Sequence, residues 1–222
     1  MFDKITICIP YFERLGPLEK TLDGFHSFGY FNDNIHLCLV DDGSINEPIP
    51  RSYDSQPWCT VVRLPKKKER KNASVPVNVA VKHAKGPIIL LQSPETYHTK
   101  PIIREMAESI KGHKDIVLAA VSSDRKGVPW YAHPKHRPVK FWFCQMMTKQ
   151  FFGEIGGFDE DYRDGLGFED DDFINRLDAA NANWIWRADC VAHHPFVPGV
   201  TGTIPGSHDP NQKVYRKKWR TP

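Results

Sequence analysis

Residues 35–44 read IHLCLVDDGS, an apolar run broken only by His36, followed by two aspartates, a glycine and a serine. A short apolar run with turn residues at its end predicts a strand buried on both faces, here stopping at Asp41-Asp42-Gly43-Ser44. The neighbouring segments repeat the pattern. KITICIPYF (4–12) is a β-rich run ending near Pro10, and the spacing predicts a helix over 17–28 before the quoted strand. CTVVRLP (59–65) is a third strand, GPIILLQSPE (86–95) a fourth and DIVLAAVSS (115–123) a fifth. Helices are predicted over 75–85 and 101–110, and a basic loop, KKKERKN (66–72), follows the third strand. Strands and helices alternating at this pitch imply an α/β fold, a parallel sheet with helices on both faces. After Lys126 the pattern loosens into a stretch rich in Pro, His and aromatics, and MTKQFFGEIGGFDE (147–160) reads as a helix closed by Gly156-Gly157.

Composition narrows the class. A chain of 222 residues with 40% hydrophobic and 26% charged content is an ordinary globular protein, one domain or two closely fused halves. The formal charge of +3 is too small to argue for nucleic acid. Five widely spaced cysteines without a Cys-X-X-Cys pair point to reduced, buried thiols in a cytoplasmic protein. No apolar stretch approaches the ~20 residues of a membrane span, and the amino terminus is not a signal peptide.

In parallel sheets ligands bind at the carboxyl ends of strands, which singles out Pro10-Tyr11, Asp41-Asp42 and Gln92 to Glu95. Paired aspartates there can accept hydrogen bonds from a ribose or a base edge, or can serve only as turn residues. A second acidic feature lies in GLGFEDDDFINRL (165–177), where Glu169, Asp170, Asp171 and Asp172 stand side by side. Phe173, Ile174 and Leu177 recur at helical spacing, so a helix starts near Glu169. A helix amino terminus welcomes one or two acids. Four beside a Gly-X-Gly turn ask for chemistry.

The segments ICIPYFER, LVDDGS, NASVPVNVAVKHAKGPIILLQSPE, GEIGGFDEDY and FEDDDFINRL occur in the order and rough spacing of the GT-A nucleotide-sugar glycosyltransferases. The first three resemble the large inverting family that includes bacterial and viral polysaccharide transferases. The last two are similar to the carboxyl-terminal half of animal β-1,4-galactosyltransferases. Together they cover residues 4 to about 195. The resemblance implies a single GT-A (Rossmann-like) domain with a mixed, mostly parallel sheet flanked by helices. Residues 1–125 would form the nucleotide-sugar half and 126–222 the acceptor half.

By the same resemblance Pro10, Tyr11 and Glu13 close over the base, Asp41 and Asp42 bind base and ribose, and Lys71, Asn72 and Asn78 run past the diphosphate, with Gln92 and Ser93 at the donor. Asp170 is the catalytic base and Glu169 its partner at the acceptor, where Asp171, Gly167, Trp130 and Tyr131 also bind. The partners implied are a nucleoside-diphosphate sugar and a glycan, glycoprotein or lipid-linked acceptor, with no nucleic acid and at most peripheral membrane contact.

One departure stands out. The family ends its fourth strand with Asp-X-Asp, which binds Mn²⁺ or Mg²⁺, and this chain has Gln92-Ser93-Pro94-Glu95. Gln and Glu still offer oxygens to a hard cation, so Glu95 with His193 or His194 is the expected metal set. The alternative is a metal-independent site in which the loop from Lys66 to Lys71 neutralises the diphosphate. Phe141 and Trp142 suit either an acceptor platform or the core. The tail DPNQKVYRKKWR is predicted to be a short basic amphipathic helix packed on the domain. Two other readings stay open, a metal-dependent nucleotidyltransferase and a non-catalytic nucleotide- or carbohydrate-binding protein of the same fold.

Overall fold

The computed structural model describes residues 4–32, 34–66, 72–196 and 209–219. Strands β1 (Ile5–Tyr11) and β2 (Ile35–Asp41) are buried along their whole length and pair in parallel from Ile5–Ile35 to Tyr11–Asp41. β3 (Cys59–Arg63) extends the sheet beyond β2, and β4 (Ile88–Gln92) lies parallel on the other side of β1. Side chains alternate across the sheet. Ile5, Ile7, Ile9 and Tyr11 pack on the face covered by α1 (Leu15–Ser27), through Leu18, Leu22 and Phe25. Cys8, Cys38 and Val40 face α2 (Ser74–Lys82), through Val77, Ala80 and Val81.

The second part of the chain completes the same sheet. It contributes β5 (Tyr97–His98), α3 (Ile103–Ala107), β6 (Asp115–Ser122), β7 (Trp130–Ala132), β8 (Cys144–Thr148), α4 (Lys149–Glu154), α5 (Glu169–Ala179), β9 (Asn183–His193) and α6 (Asp209–Lys218). The strand order is β3-β2-β1-β4-β8-β6-β9-β5, with β7 on the end of β6. β8 is the element that sequence reading mistook, since it took Met147 onward as helix. Residues 144–148 instead form a strand inserted antiparallel between β4 and β6, and the helix starts only after Thr148, whose hydroxyl caps the Phe151 N–H. CQMMT carries no alternation because Cys144, Met146 and Met147 are buried on two faces, and period alone cannot identify such a run.

β1, β2, β3, β4, β6 and β9 all run one way, and β5, β7 and β8 oppose them. The carboxyl ends at Tyr11, Asp41, Gln92, Ser122 and His193 therefore share one edge of the sheet. α5 joins the α2 face, where Phe158 and Phe173 stack with centroids 4.1 Å apart. Gly157 holds this corner: its φ is +67°, and a Cβ there would come within 2.6 Å of Asn78 Oδ1 and 2.8 Å of Phe152.

α6 is fastened to α5 through Asp172. That fully buried carboxylate accepts from Arg176 Nε, Trp219 Nε1 and Lys218 Nζ, each at 2.8 Å. Asn175 donates to the Tyr215 hydroxyl at 2.7 Å. Removing the shared acid strips Arg176 and Lys218 of a buried counter-charge and leaves them the Ile155 and Gly157 carbonyls and Asp159. Asp172→Ala is therefore expected to cost ~3–5 kcal/mol in urea unfolding, with Asp172→Asn costing less, because the amide oxygen still accepts from Trp219.

Candidate active site

Two carboxylates organise the loop after β2. Asp41 is buried, and its oxygens accept from the Ser44 N–H at 2.8 Å and the Ile49 N–H at 3.2 Å. Glu13, in left-handed backbone at φ +49°, accepts from the N–H groups of Ile45 (2.5 Å), Asn46 (3.0 Å) and Glu47 (2.6 Å). Desolvation works against the Glu13 charge, but those three N–H groups and Lys66 outweigh it and hold its pKa below the ordinary value. Both acids are thus turned into residues 44–49. The structure divides the Asp41-Asp42 pair, with Asp41 bound to the loop and Asp42 on the wall of a cavity. Tyr11 is core: its ring is 1% exposed, and its hydroxyl donates to the Glu47 carbonyl and accepts from Arg14 N–H at 3.2 Å. Burial pushes that phenol up to about 12.

The cavity holds about 500 Å³, enough for a small-molecule ligand. Pro10, Asp42, Asn72, Ser93, Glu95 and Trp142 are among the residues on its wall. Gln92 is not. It is fully buried, its amide donates to the Thr96 carbonyl at 2.5 Å and its oxygen meets His98 Nε2 at 2.9 Å, so it shapes the turn after β4. Ser93 borders the cavity while its hydroxyl pairs with Thr96 Oγ1 at 2.6 Å. Asn72 donates to the carbonyls of Tyr162 and Gly165 and accepts from Ser74, linking the start of α2 to the turn before α5. Asn78 is spent on the 158–160 segment, donating to the Phe158 carbonyl at 2.8 Å and accepting the Phe158 N–H at 2.8 Å. Lys71 and the basic loop from residue 67 lie outside the described residues.

Glu95 is the acid at the end of β4. Its Oε1 lies 2.5 Å from Arg14 Nη1 and 3.4 Å from His194 Nε2, and its buried Oε2 accepts no hydrogen bond among the described residues. Burial opposes ionisation there, but the His194 hydrogen bond and the Arg14 charge prevail, so the Glu95 pKa is lowered. The two histidines part as consecutive strand residues do. His193 turns to Ser122 Oγ at 2.9 Å and to the Tyr97 ring, while His194 faces Glu95. A buried carboxylate oxygen without a donor is costly. With an imidazole nitrogen beside it, it suits Mn²⁺, whereas Mg²⁺ prefers oxygens alone. Glu95 and His194 fit such an ion as a pair.

The acidic run at α5 is sorted by helix rotation. Asp172 points into the protein as described, and Asp171 is exposed. Glu169 and Asp170 are half-buried, and Glu169 Oε2 and Asp170 Oδ1 have no hydrogen-bond partner among the described residues. Desolvation, with the neighbouring acids, raises both, Glu169 to about 7 and Asp170 also well above the usual carboxylate range. Asp170 accepts from the Trp142 side chain, and Trp142 and Leu166, rather than the acids, line the cavity there. Burial raises the Tyr131 phenol, and the charges of Asp170 and Glu95 add to it. The Tyr131 ring also packs 4.8 Å from His194. Trp130 turns elsewhere, against His133 at 4.4 Å. The Gly167 carbonyl is taken by Asn211 of α6 at 2.8 Å.

Sequence reading missed Arg14, Phe12 and the bond from Trp142. Phe12 is 55% exposed on the cavity wall, and an apolar residue that fails the alternation just past a strand end was its only signal. Arg14 carried none, because its partner lies 81 residues away.

The Glycosyl transferase family 2 model matches residues 6–171. GalNAc-T7, solved with UDP, GalNAc and Mn²⁺, aligns with a TM-score of 0.71 at 14% identity over 98% of this chain and 49% of its own. The mannosyltransferase PcManGT from Pyrobaculum calidifontis, in complex with GDP-Man and Mn²⁺, gives 0.65 at 16%, over 97% of this chain and 61% of its own. S. aureus TarS gives 0.71 at 19%, over 88% and 37%. The chain thus spans about half the length of the first of these and less than two thirds of the others. No curated protein matches it. With the strand-end cavity and a family match across three quarters of its length, the chain belongs to glycosyl transferase family 2 and has the GT-A fold.

Proposed function

We propose that the protein is an inverting glycosyltransferase, moving a sugar from a nucleoside-diphosphate sugar to a hydroxyl of a glycan, glycoprotein or lipid-linked acceptor in polysaccharide biosynthesis. The observation that carries this reading is Asp170, a desolvated carboxylate whose buried Oδ1 has no hydrogen-bond partner among the described residues, beside Trp142, which lines the strand-end cavity. The donor nucleotide, UDP or GDP, occupies the cavity against Asp42, Pro10 and Phe12, while Asp41 and Glu13 hold the loop beside it. Residues 1–125 serve the donor and 126–222 the acceptor, with Trp142, Phe143 and Tyr131 as apolar faces for sugar rings. Five buried, unpaired cysteines support a cytoplasmic setting.

In the reaction Asp170 takes the proton of the acceptor hydroxyl while that oxygen attacks the anomeric carbon from the face opposite the diphosphate. The C–O bond to the diphosphate breaks, and its electron pair leaves with the phosphate oxygen. A single displacement inverts the anomeric centre. Glu169, next to the base, holds acceptor hydroxyls. A divalent cation held by Glu95 and His194 would neutralise the departing diphosphate.

Asp170→Asn cannot take a proton and should lower turnover by ~10²–10⁴ with donor affinity nearly unchanged. Proton NMR of fresh product should show the inverted anomer, and a retained one would overturn the mechanism. Because a base must be ionised and burial raises the Asp170 carboxyl, turnover of the wild type should still be rising with pH above the ordinary carboxylate range and level off once Asp170 is ionised. Stability runs the other way. A carboxyl whose folded pKa is raised stabilises the fold below its unfolded value, and that stability is lost as pH rises through the folded one, here between the ordinary carboxylate range and about 7 for Glu169. Glu169→Gln should therefore melt above wild type at pH 8, with the gap closing near pH 4. If Glu95 binds the cation, Mn²⁺ should tighten UDP or GDP binding in calorimetry, and Glu95→Gln should abolish that gain.

A further inference from the structure

The Arg14 guanidinium paired with Glu95 has no part in the scheme so far. Of the described residues on the cavity wall, Arg14 is the sole lysine or arginine. A diphosphate entering such a space needs a positive partner, and the basic loop is described only as far as the exposed Lys66. Arg14 is built for the task. Its backbone is pinned on both sides, by the left-handed Glu13 clamped to residues 45–47 and by its own N–H bond to the buried Tyr11 hydroxyl. Its side chain is long, one third exposed, and uses a single contact, Nη1 to Glu95 Oε1. A guanidinium has five donors in a planar fork that matches phosphate oxygens, so most of this one is unspent.

Resting on the donor reading above, we propose that Arg14 is the diphosphate-binding cation of the cavity, parked on Glu95 until the donor arrives. Parking has a physical reason. Glu95 is a buried carboxylate, and without a counter-charge it would be costly to keep ionised. The incoming diphosphate offers the guanidinium a bidentate, doubly charged partner. Transfer of Arg14 to it releases Glu95 Oε1 at the moment that carboxylate is wanted as a ligand. Arg14 thereby compensates for the missing second acid of Asp-X-Asp by exchanging partners rather than by adding a ligand.

Calorimetry on the full 222-residue chain tests this with UDP, GDP, uridine and guanosine, each in EDTA and in Mn²⁺. Arg14→Ala should weaken the diphosphate that wild type binds by ~10–100-fold in both buffers, the loss of a charged hydrogen-bonding partner, and leave the matching nucleoside within about twofold. Arg14→Lys should fall between, keeping charge without the fork. Arg14→Gln, which can still bond Glu95, should lose as much as alanine and serves if the alanine variant does not fold. In Mn²⁺ titrations without nucleotide, followed by water-proton relaxation, Arg14→Gln should bind the ion more tightly than wild type, because Glu95 is no longer neutralised. Unchanged diphosphate affinity, an equal loss for nucleoside and diphosphate, or weaker Mn²⁺ binding in the variant would each overturn the proposal. Absence of UDP and GDP binding by wild type would instead sink the donor reading itself, before any variant is compared.

Discussion

Every backbone N–H from Ser44 to Ile49 ends on the carboxylate of Asp41, at the end of β2, or of Glu13, just past β1, Pro48 having none to offer. A loop crossing the end of a sheet loses its ladder partners, and unpaired donors at a half-buried edge are costly. Asp41 and Glu13 remove that cost, and the rest of the site hangs from the result. Clamping Glu13 at positive φ turns the chain into α1 and sets Arg14 over Glu95. Glu95 meets His194, the residue after β9, and the His194 ring packs on Tyr131 from β7. The chain of contacts crosses the whole carboxyl edge, so strands far apart in sequence are locked at one cavity.

The acidic run at the start of α5 shows how one local motif serves two ends. Successive helix residues turn by about a quarter of a circle, so four adjacent acids cannot share one environment. Asp172 is buried with four donors, Arg176, Lys218, Trp219 and the Tyr162 hydroxyl, and anchors α6. Asp171 faces solvent. Glu169 and Asp170 are left half-desolvated with oxygens unsatisfied, an arrangement that raises their pKa values and detracts from stability. Such local expense is common where chemistry needs a proton acceptor near neutral pH. Asn211 and Tyr215 of α6 hold the turn that carries these acids, bonding Gly167 and packing on Phe168. The tail helix is thus part of the scaffold of the site.

Glu95 is the one acid in the segment that replaces Asp-X-Asp. The family's second acid is absent, and in its place the buried Glu95 shares one oxygen between an arginine and a histidine. The remaining oxygen is buried and accepts no hydrogen bond among the described residues. Among the described residues the one group close enough for three His, Cys, Asp or Glu ligands is Glu105, Asp189 and Cys190. There Arg187 already bonds Asp189 at 2.5 Å, and burial pushes the Cys190 thiol up to about 12. That cluster is an ion-pair network at the β9 bulge, where Arg187 pairs with Ala119 and Val191 with Ala120.

The sequence by itself determined the strands around IHLCLVDDGS and their helices, because apolar period and turn residues are local properties. It also marked Asp42, Glu95, Asp170 and His194, since residues at strand ends and helix starts of an α/β sheet reach its ligand edge wherever the strands end up. Only the tertiary structure separated Asp41 from Asp42 and His193 from His194, because adjacent side chains point oppositely and no local signal says which way is inward. It also turned Gln92 and Asn78 to structural duty, and it placed β8 between β4 and β6, a position set by pairing with two distant strands. Arg14 is the clearest case. Its role comes from a carboxylate 81 residues away, and a contact made by folding leaves no periodic trace in either segment.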